Sequence, residues 1–385
     1  MSTLQRNLPS RDAEVCVVGA GVVGCAAALA LARRGASVVV LEAEIEPGLA
    51  ASGTNSGIVH TGFDSPPGEL ETELILRSAS LREPVLEALG VPLLRCGAVL
   101  RPLREEQHSA VAALAANAER NGVATSVDAG GALHVPGEAV TDPVAYTLSL
   151  AAAAGRHGAE LRTRFRVAAL RRAPGGIVVE DAGGERARCR VVVNCAGLHA
   201  DDVARLAGDD SFELYPRKGE FLVFEPPDRE PLERILLPVP SARTKGVLVF
   251  PTLDGRIVAG PTAVDGDDKR DWAVRPKARE EILPPAAAMH PPLEGAEPVA
   301  AYAGLRPAGR GVNYLIGPSG ACEGLVNVAA IRSTGLTASL GIAERVCSLV
   351  EGLGVRLGRE RPLTRSAPLL PAGPWWRRTA EHVAQ

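Results

Sequence analysis

The sequence lacks a pronounced excess of charge of either sign. Its 385 residues contain 42 Lys and Arg against 45 Asp and Glu, for a formal net charge of -3. Proteins that bind nucleic acids usually present a clearly basic face, so we expect no nucleic-acid partner. If this protein binds an anion, the positive charge for it must be gathered locally.

Long apolar runs and paired cysteines are also missing. No segment reaches about 18 uninterrupted apolar residues, so we expect no transmembrane helix and at most peripheral membrane contact. The first apolar run follows charged residues and is broken by glycines, which is typical of a strand rather than a signal peptide. The seven cysteines contain no C-x-x-C pair, which argues against an iron–sulfur cluster, a zinc site and a disulfide framework. These absences predict no bound metal, reduced thiols and a cytoplasmic protein.

Hydrophobic residues are plentiful, at 46% of the chain, and 23% of the residues are charged. These proportions are typical of an ordinary globular protein. A chain of this length exceeds what one compact core usually holds, so we expect two domains.

The clearest motif lies near the N-terminus, in "VCVVGAGVVG". A strand at Val15–Val18 is followed by Gly19-x-Gly21-x-x-Gly24, a helix of small residues, and a second strand that ends in Glu42. In such a unit the first glycine makes the turn, the second lets a pyrophosphate approach the backbone, and the third lets the helix pack closely. The phosphates bind at the helix N-terminus, and an acid at the position of Glu42 can bond the ribose hydroxyls. The motif therefore predicts an adenine dinucleotide, and by itself leaves FAD and NAD open.

A loop of small and polar residues, "SGTNSGIVHTGFD" (52–64), follows and contains His60. Together with the motifs at 191–208 ("VVVNCAGLHADDVARLAG"), 215–225, 244–263, 302–311 and 326–346, it resembles the D-amino-acid-oxidase-like (DAO) superfamily of FAD oxidoreductases. The resemblance is closest to the short FAD-dependent glycerol-3-phosphate dehydrogenases and to the L-2-hydroxyglutarate oxidases.

This resemblance implies an α/β fold with a discontinuous, Rossmann-like FAD-binding domain and a second, mainly antiparallel β substrate-binding domain. The FAD-binding domain is expected at 11–83, 138–212 and 302–357. The substrate domain is expected at 84–137 and 213–301, and a C-terminal tail at 358–385. For Trp375 and Trp376 in this tail, packing onto the protein and contact with a partner or membrane surface both remain open.

The resemblance also implies that FAD is bound without a covalent link, because no cysteine lies in the Arg306 motif and position 55 is Asn rather than His. The final helix would direct its positive end at the flavin. The residues expected to contact the cofactor are Gly19, Gly21, Val23, Gly24, Glu42, Ala43, Thr54, Asn55, Ser56, Gly57, Val167, Ala196, Gly197, Arg306, Ser333, Thr334, Gly335, Leu336 and Thr337.

Two residues are the candidates for catalysis. Oxidation of an alcohol needs a base for the hydroxyl proton, and His60 is suited to this role because imidazole titrates near neutral pH. A role for His60 in cofactor contact alone remains the alternative. Arg306, in "YAGLRPAGR", resembles the arginine that related flavoenzymes use to hold a substrate anion and to steady the developing alkoxide, and a guanidinium fits carboxylate or phosphate oxygens. Lys218, Lys245 and Arg310 are expected to add charge for the substrate, with a solvated surface position as the alternative.

The expected function is oxidation of a small anionic alcohol, with glycerol 3-phosphate to dihydroxyacetone phosphate as the first candidate. L-2-hydroxyglutarate oxidation is the runner-up, and oxidation of an amino acid or secondary amine stays open because fold does not decide substrate. A flavin-binding subunit without turnover is a further alternative. The sequence leaves open whether oxygen, a quinone or another carrier accepts the electrons, and whether the protein is an oligomer.

Overall fold

The computed structural model describes residues 13–226, 230–240 and 246–383. Within these ranges its strands are β1 (Val15–Val18), β2 (Val38–Leu41), β3 (Ile58–Val59), β4 (Leu93–Leu94), β5 (Ala98–Leu100), β6 (Ser126–Val127), β7 (Leu133–Val135), β8 (Ala139–Thr141), β9 (Glu160–Arg162), β10 (Val167–Ala173), β11 (Gly176–Asp181), β12 (Arg186–Cys189), β13 (Val191–Asn194), β14 (Leu214–Phe224), β15 (Ile235–Leu237), β16 (Leu248–Pro251), β17 (Ile257–Gly260), β18 (Val264–Asp265), β19 (Ala300–Gly309), β20 (Leu315–Pro318) and β21 (Leu325–Ala329).

The α-helices in the same ranges are α1 (Val22–Arg33), α2 (Leu70–Leu89), α3 (His108–Arg120), α4 (Pro143–Arg156), α5 (Ala200–Leu206), α6 (Ala278–Met289), α7 (Gly335–Gly352) and α8 (Trp375–Val383). None of them is long and apolar enough to cross a membrane.

The first large sheet has the strand order β20-β21-β13-β1-β2-β9, and all neighbours are parallel except β20 and β21. Both of its faces are covered. Val15 and Val17 of β1 pack with the helical layer that contains α1 and α7. Cys16 and Val18 point the other way and pack with the three-stranded antiparallel sheet β10-β11-β12. Burial on both faces explains why β1 is apolar at every position.

The second large sheet is mainly antiparallel, in the order β18-β14-β17-β16-β15-β5-β7-β6, with β19 also paired to β14. Among its strand pairs in the described ranges, only β15 and β5 are parallel. Strands β14 and β19 are its longest pair, in register from Leu214 opposite Gly309 to Val223 opposite Ala300. Helix α6 packs on one face against Leu222 and Phe224. The predicted α/β class, with a parallel sheet and a mainly antiparallel second sheet, is confirmed.

The six predicted segment boundaries stay predictions, and one strand departs from them. The segment 302–357 was assigned to the cofactor domain, yet β19 pairs with β14 along its length and so lies in the antiparallel sheet. The parallel sheet draws its strands from well-separated stretches of chain, at 15–41, 160–162, 191–194 and 325–329. This arrangement is what a discontinuous domain requires.

The C-terminal helix packs onto the protein. Trp375 and Trp376 are both buried, and the Trp375 ring meets Tyr302 edge to face with centroids 5.6 Å apart. The hydroxyl of Thr379 donates a hydrogen bond to the carbonyl of Gly53, in the loop predicted to contact the flavin. Of the two roles left open for the tryptophan pair, the structure shows packing within the chain.

Candidate active site

The glycine turn after β1 is shaped for close approach. A Cβ added to Gly24 would lie 2.0 Å from the carbonyl oxygen of Gly19, so only glycine lets α1 pack against the turn. At Gly21 the nearest atom is Oγ of Ser52, 3.1 Å from an added Cβ. The first N–H of α1 donates to the same Ser52 hydroxyl at 2.9 Å. A bare backbone at a helix N-terminus fits the pyrophosphate of an adenine dinucleotide.

A second turn lies directly beside this one. Gly19 has a φ of 98°, and a Cβ on it would lie 2.5 Å from the carbonyl oxygen of Cys195 and 3.2 Å from Cα of Ala196. Gly197 follows with a φ of 57°. The structure thus places Ala196 and Gly197, two predicted cofactor residues, next to the glycine turn.

Glu42 is oriented toward the same turn. Its Oε2 accepts a hydrogen bond from the N–H of Ala20 at 2.6 Å, and burial raises the pKa of this carboxyl group. The N–H of Phe165 donates to the Glu42 carbonyl, and Val167 then opens β10. Ala43 follows Glu42 in the chain, so the predicted residues Glu42, Ala43 and Val167 lie in one region beyond the C-terminal ends of β2 and β9.

The loop 52–57 connects to the end of β21 and to the antiparallel sheet. The side-chain oxygen of Asn55 accepts the N–H of Gly57 at 3.0 Å, and its amide nitrogen lies 3.5 Å from the carbonyl of Ser333. A Cβ on Gly304 of β19 would lie 2.9 Å from the Thr54 carbonyl oxygen. A Cβ on Gly57 would lie 2.3 Å from the carbonyl of Thr141. These close contacts bring the two sheets together at one loop.

Strained backbone conformations cluster in the segment before α7 and at Tyr314, which hydrogen-bonds to that segment. Tyr314, Ala330 and Arg332 all adopt positive φ, between 50° and 55°, although none is glycine. Residues in this region of backbone space concentrate at functional sites because the surroundings must hold them there. Helix α7 begins here with Gly335, whose added Cβ would lie 3.6 Å from Cγ2 of Val23 in α1. The N-termini of both helices therefore converge.

Glu71 holds this segment in place. Burial raises the pKa of its carboxyl group, but hydrogen bonds from Asn313, Thr334 and Arg332 outweigh burial and lower it overall. The contacts measure 2.7 Å from Asn313, 2.8 Å from Thr334 and 2.8 Å from Arg332. Glu71 is thus an ionised anchor for the residues that precede α7.

A cavity of about 550 Å³ opens between the antiparallel sheet, α2 and the segments 51–66 and 332–334. Six predicted cofactor residues line it, namely Thr54, Asn55, Ser56, Arg306, Ser333 and Thr334. Part of its wall is apolar, with Leu100, Phe221, Leu237 and Phe250 from the antiparallel sheet, Ile75 from α2 and Phe63 from the loop after β3. The predicted residues Leu336 and Thr337 lie in the first turn of α7. A mostly apolar cavity with a few polar groups is the usual form of a cofactor and substrate site.

His60 lines this cavity, and its ring is held from behind. Nδ1 lies 2.8 Å from Oε2 of Glu138, whose side chain is fully buried. The backbone N–H of His60 donates to the hydroxyl of Thr337 at 3.1 Å, and Arg82 donates to the His60 carbonyl at 3.1 Å. Because the carboxylate takes Nδ1–H, the other ring nitrogen, Nε2, remains available as a proton acceptor.

Arg306 lines the same cavity from β19 of the antiparallel sheet. Among the described residues it forms no ion pair; instead its Nη2 donates to the carbonyls of Thr262 at 2.6 Å and Lys218 at 3.3 Å. A Cβ on Gly219 would lie 2.3 Å from this nitrogen, so only glycine lets the guanidinium lie over β14. Burial, with a smaller contribution from Arg217, lowers the pKa of Arg306 to about 10. Arg306 is therefore still a cation at neutral pH, with donors left for a ligand.

Arg217 is a second arginine on this wall. It lies directly opposite Arg306 in the pairing of β14 with β19, and both line the cavity. Its own ion pair, with Asp265 on β18, is 3.4 Å long. Like charges placed directly opposite each other destabilise a sheet. A bound anion between the two guanidinium groups would relieve that repulsion.

The other predicted substrate residues do not line the cavity. Lys218 points to the opposite face of β14, where its Nζ lies 2.6 Å from Asp271. Its substrate role is therefore not supported, because side chains alternate along a strand and Arg217 takes the cavity face. Arg310 is exposed and pairs with Glu213 at 2.9 Å, outside the cavity. Lys245 lies outside the described residues.

Comparison with known proteins supports a common framework. The family described as "FAD dependent oxidoreductase" matches residues 14–349. A glycerol 3-phosphate dehydrogenase from Caloramator mitchellensis is 25% identical over 374 residues, covering 92% of this chain and 78% of the relative. The mitochondrial L-2-hydroxyglutarate dehydrogenase of Homo sapiens is 28% identical over 289 residues, covering 67% of this chain and 62% of the relative.

A solved structure extends the similarity to three dimensions. The dithionite-reduced L-alpha-glycerophosphate oxidase of Mycoplasma pneumoniae, with FAD bound, is similar at a TM-score of 0.85 and 25% identity. The similar region covers 94% of this chain and 99% of that oxidase.

Proposed function

Because this chain belongs to the FAD-dependent oxidoreductase family, we propose that it oxidises a small anionic alcohol, with glycerol 3-phosphate to dihydroxyacetone phosphate as the first candidate. FAD is the cofactor, as the sequence predicted. It would be held by the glycine turn, by Glu42 and by the converging N-termini of α1 and α7. When bound, FAD would accept a hydride, that is, the hydrogen and the two electrons of the substrate C–H bond.

The observation that carries this proposal is the pair of opposed arginines on the cavity wall. Arg306 donates only to carbonyls among the described residues, and Arg217 has one carboxylate partner at 3.4 Å. A partly buried cation with no ion-pair partner of its own, such as Arg306, is stabilised when a ligand supplies that charge. A phosphate or carboxylate group on the substrate would supply that charge, and two guanidinium groups suit a dianion.

His60 supplies the other half of the proposed chemistry. A hydroxyl bound in the cavity would lose its proton to Nε2 of His60, so that the O–H bond breaks and an N–H bond forms. The proton then leaves to solvent before the next turnover. The antiparallel-sheet wall with the arginines orients the substrate, while His60, in the loop after β3, acts on its hydroxyl.

L-2-hydroxyglutarate remains the second candidate. It is also an anionic alcohol, and the human dehydrogenase named for it is 28% identical to this chain over 289 residues. Two carboxylate groups could use both arginines, so the wall alone does not separate this substrate from a phosphomonoester. The oxidation of amino acids or secondary amines is a weaker alternative, because Arg306 and Arg217 provide for an anion whichever atom is oxidised.

The electron acceptor, the cellular location and the redox state of the cysteines are further parts of the proposal. The electron acceptor is oxygen, a quinone or another carrier, and the protein acts in the cytoplasm with reduced thiols. All seven cysteines are unpaired. Non-covalent attachment of FAD, peripheral membrane contact and an oligomeric state stay predictions.

The experiment is anaerobic mixing of the FAD-loaded protein with glycerol 3-phosphate, L-2-hydroxyglutarate, glycerol and an amino acid, followed by the loss of flavin absorbance. We expect glycerol 3-phosphate to bleach the flavin fastest and uncharged glycerol to be slowest. Faster bleaching by L-2-hydroxyglutarate would favour the second candidate. Fastest bleaching by glycerol or the amino acid, or no bleaching by any of the four, would overturn the proposal.

The acceptor is tested on the same preparation. Hydrogen peroxide release in air, compared with reduction of a quinone analogue without oxygen, distinguishes an oxidase from a dehydrogenase.

A further inference from the structure

We propose that Glu138 is a positioning residue for His60, holding the imidazole so that Nε2 faces the substrate hydroxyl. This inference rests on the proposed function, because it concerns how His60 performs the proton transfer. Glu138 is the buried carboxylate that contacts the ring of His60.

The contact itself is well defined. Oε2 of Glu138 lies 2.8 Å from Nδ1 of His60. The other carboxylate oxygen, Oε1, accepts two hydrogen bonds from Thr61, at 2.7 Å from its backbone N–H and 2.8 Å from its hydroxyl. With Oε1 engaged twice as an acceptor, Oε2 is the oxygen left for the ring. A carboxylate only accepts, so the ring must donate Nδ1–H and keep the lone pair on Nε2.

The backbone around the pair fixes its geometry. Glu138 directly precedes β8, and β8 pairs with β3, the strand that leads into His60. A Cβ on Gly137 would lie 2.8 Å from Cγ2 of Thr61, so a side chain at 137 would displace the residue that orients the carboxylate. The two residues, 78 positions apart in sequence, are therefore held by one small sheet rather than by a flexible loop.

Arg82 lies near both members of the pair. Burial lowers the pKa of Arg82, while the nearby negative charge of Glu138 acts to raise it. The guanidinium of Arg82 also donates to the His60 carbonyl at 3.1 Å. A fully buried carboxylate would be costly without such a cation and its three hydrogen bonds. The surroundings of Glu138 thus favour a carboxylate that accepts hydrogen bonds beside the ring.

The consequence is a defined path for one proton. The substrate O–H bond breaks as Nε2–H forms, and the ring becomes a cation that still donates Nδ1–H to Glu138. The carboxylate does not take the proton; it offsets the positive charge and keeps the ring in the orientation that reaches the substrate. Without it, the ring could adopt the other tautomer or rotate away from the hydroxyl.

The test compares Glu138→Gln with Glu138→Asp in the FAD-loaded protein. Asp209→Asn is the matched control, because Asp209 is also a buried carboxylate that accepts hydrogen bonds, from Ser319 and Asn327, and does not line the cavity. Rapid anaerobic mixing with glycerol 3-phosphate gives the limiting rate of flavin bleaching and the half-saturating concentration separately.

We expect Glu138→Gln to lower the limiting rate by about 10- to 100-fold, because general-base catalysis is worth about 10²–10⁴ and only part depends on positioning. The half-saturating concentration should change by less than about twofold, since the anion is held on the other wall. Glu138→Asp should recover part of the rate, and Asp209→Asn should keep it. A Glu138→Gln variant with an unchanged rate would overturn the inference, as would equal changes in rate and half-saturation.

A second measurement needs no substrate. Proton NMR of the protein should show a low-field imidazole N–H resonance that is absent in His60→Asn, is lost or moves upfield in Glu138→Gln, and persists in Asp209→Asn. If glycerol 3-phosphate fails to bleach the wild type, the proposed function fails while this resonance still reports the contact. If the wild type is bleached and the resonance is the same in Glu138→Gln, the inference alone fails.

Discussion

The two faces of β14 carry charge in different ways. On the face away from the cavity, Lys218 contacts Asp271 at 2.6 Å, and the fully buried Glu220 contacts Arg275. On the cavity face, Arg217 lies opposite Arg306, and Arg306 has no carboxylate partner among the described residues. Both faces belong to one strand, so the difference arises from what each face has to meet.

The difference between the two faces indicates where the protein holds positive charge for a ligand. Paired charges on the far face serve the fold, because each is satisfied by a partner within the chain. Opposed, incompletely paired cations on the near face reduce stability unless something binds between them. Departures from internal satisfaction of this kind are expected at functional sites.

The largest effect is expected from the loss of His60, which lies outside the arginine wall. If the wall captures the anion and His60 takes the proton, His60→Ala should lower the limiting rate of flavin bleaching by about 10²–10⁴-fold. The half-saturating substrate concentration should stay nearly constant, because capture does not involve His60. Rapid anaerobic mixing measures both, and a variant that loses affinity instead of rate would erase the distinction between the two walls.

The next effect tests the two faces of β14 directly. Arg306→Met removes charged hydrogen bonds worth about 1.5–3 kcal/mol, so the half-saturating concentration should rise by about 10- to 100-fold with a smaller change in limiting rate. Lys218→Met is the control on the opposite face, and its half-saturating concentration should stay within about threefold of the wild type. Equal losses in both variants would mean that the faces do not differ in function.

A smaller effect is expected from a single methyl group. Gly219→Ala places a Cβ 2.3 Å from the Arg306 guanidinium, which must then move off β14. We expect the half-saturating concentration to rise by roughly tenfold, because a misplaced donor loses most of its hydrogen-bond energy. Gly317→Ala in β20 is the matched control, since an added Cβ there meets no atom within 4 Å. Identical binding in the two variants would show that the position of Arg306 over Gly219 is unimportant.

The smallest effect sharpens the role of the second arginine. Arg217 is partly exposed and already shares a carboxylate, so Arg217→Met should raise the half-saturating concentration by about 2- to 5-fold. The rise should be larger for glycerol 3-phosphate than for a monocarboxylate such as L-lactate, because a dianion uses both cations. Arg310→Met, on an exposed arginine outside the cavity, should change neither value. A uniform rise for all substrates would assign Arg217 to general electrostatics.

The cofactor-binding unit can be predicted from the sequence because its residues are close to each other in the chain. Gly19, Gly21, Gly24 and Glu42 act within one strand–turn–helix–strand unit, whose spacing carries the geometry. The same unit also predicts the parallel sheet. His60 and Arg306 were named from the motifs around them, and both line the cavity in the structure.

What the sequence did not reveal depends on contacts between distant segments. Glu138 is 78 residues from His60, and only the pairing of β3 with β8 brings them together. Lys218 was chosen over Arg217 although strand alternation puts the two on opposite faces, and the register with β19 decides which face meets the cavity. Strand alternation alone would have placed these two residues on opposite faces of β14, but it would not have shown which of them faces the substrate.

The most direct test of the account is the combined variant His60→Ala with Arg306→Met, measured beside both single variants by anaerobic bleaching with glycerol 3-phosphate. If capture and proton transfer occur on separate walls, the rise in half-saturating concentration from Arg306→Met and the fall in limiting rate from His60→Ala should both appear in full in the combined variant. A combined variant that is no worse than either single variant would contradict the account.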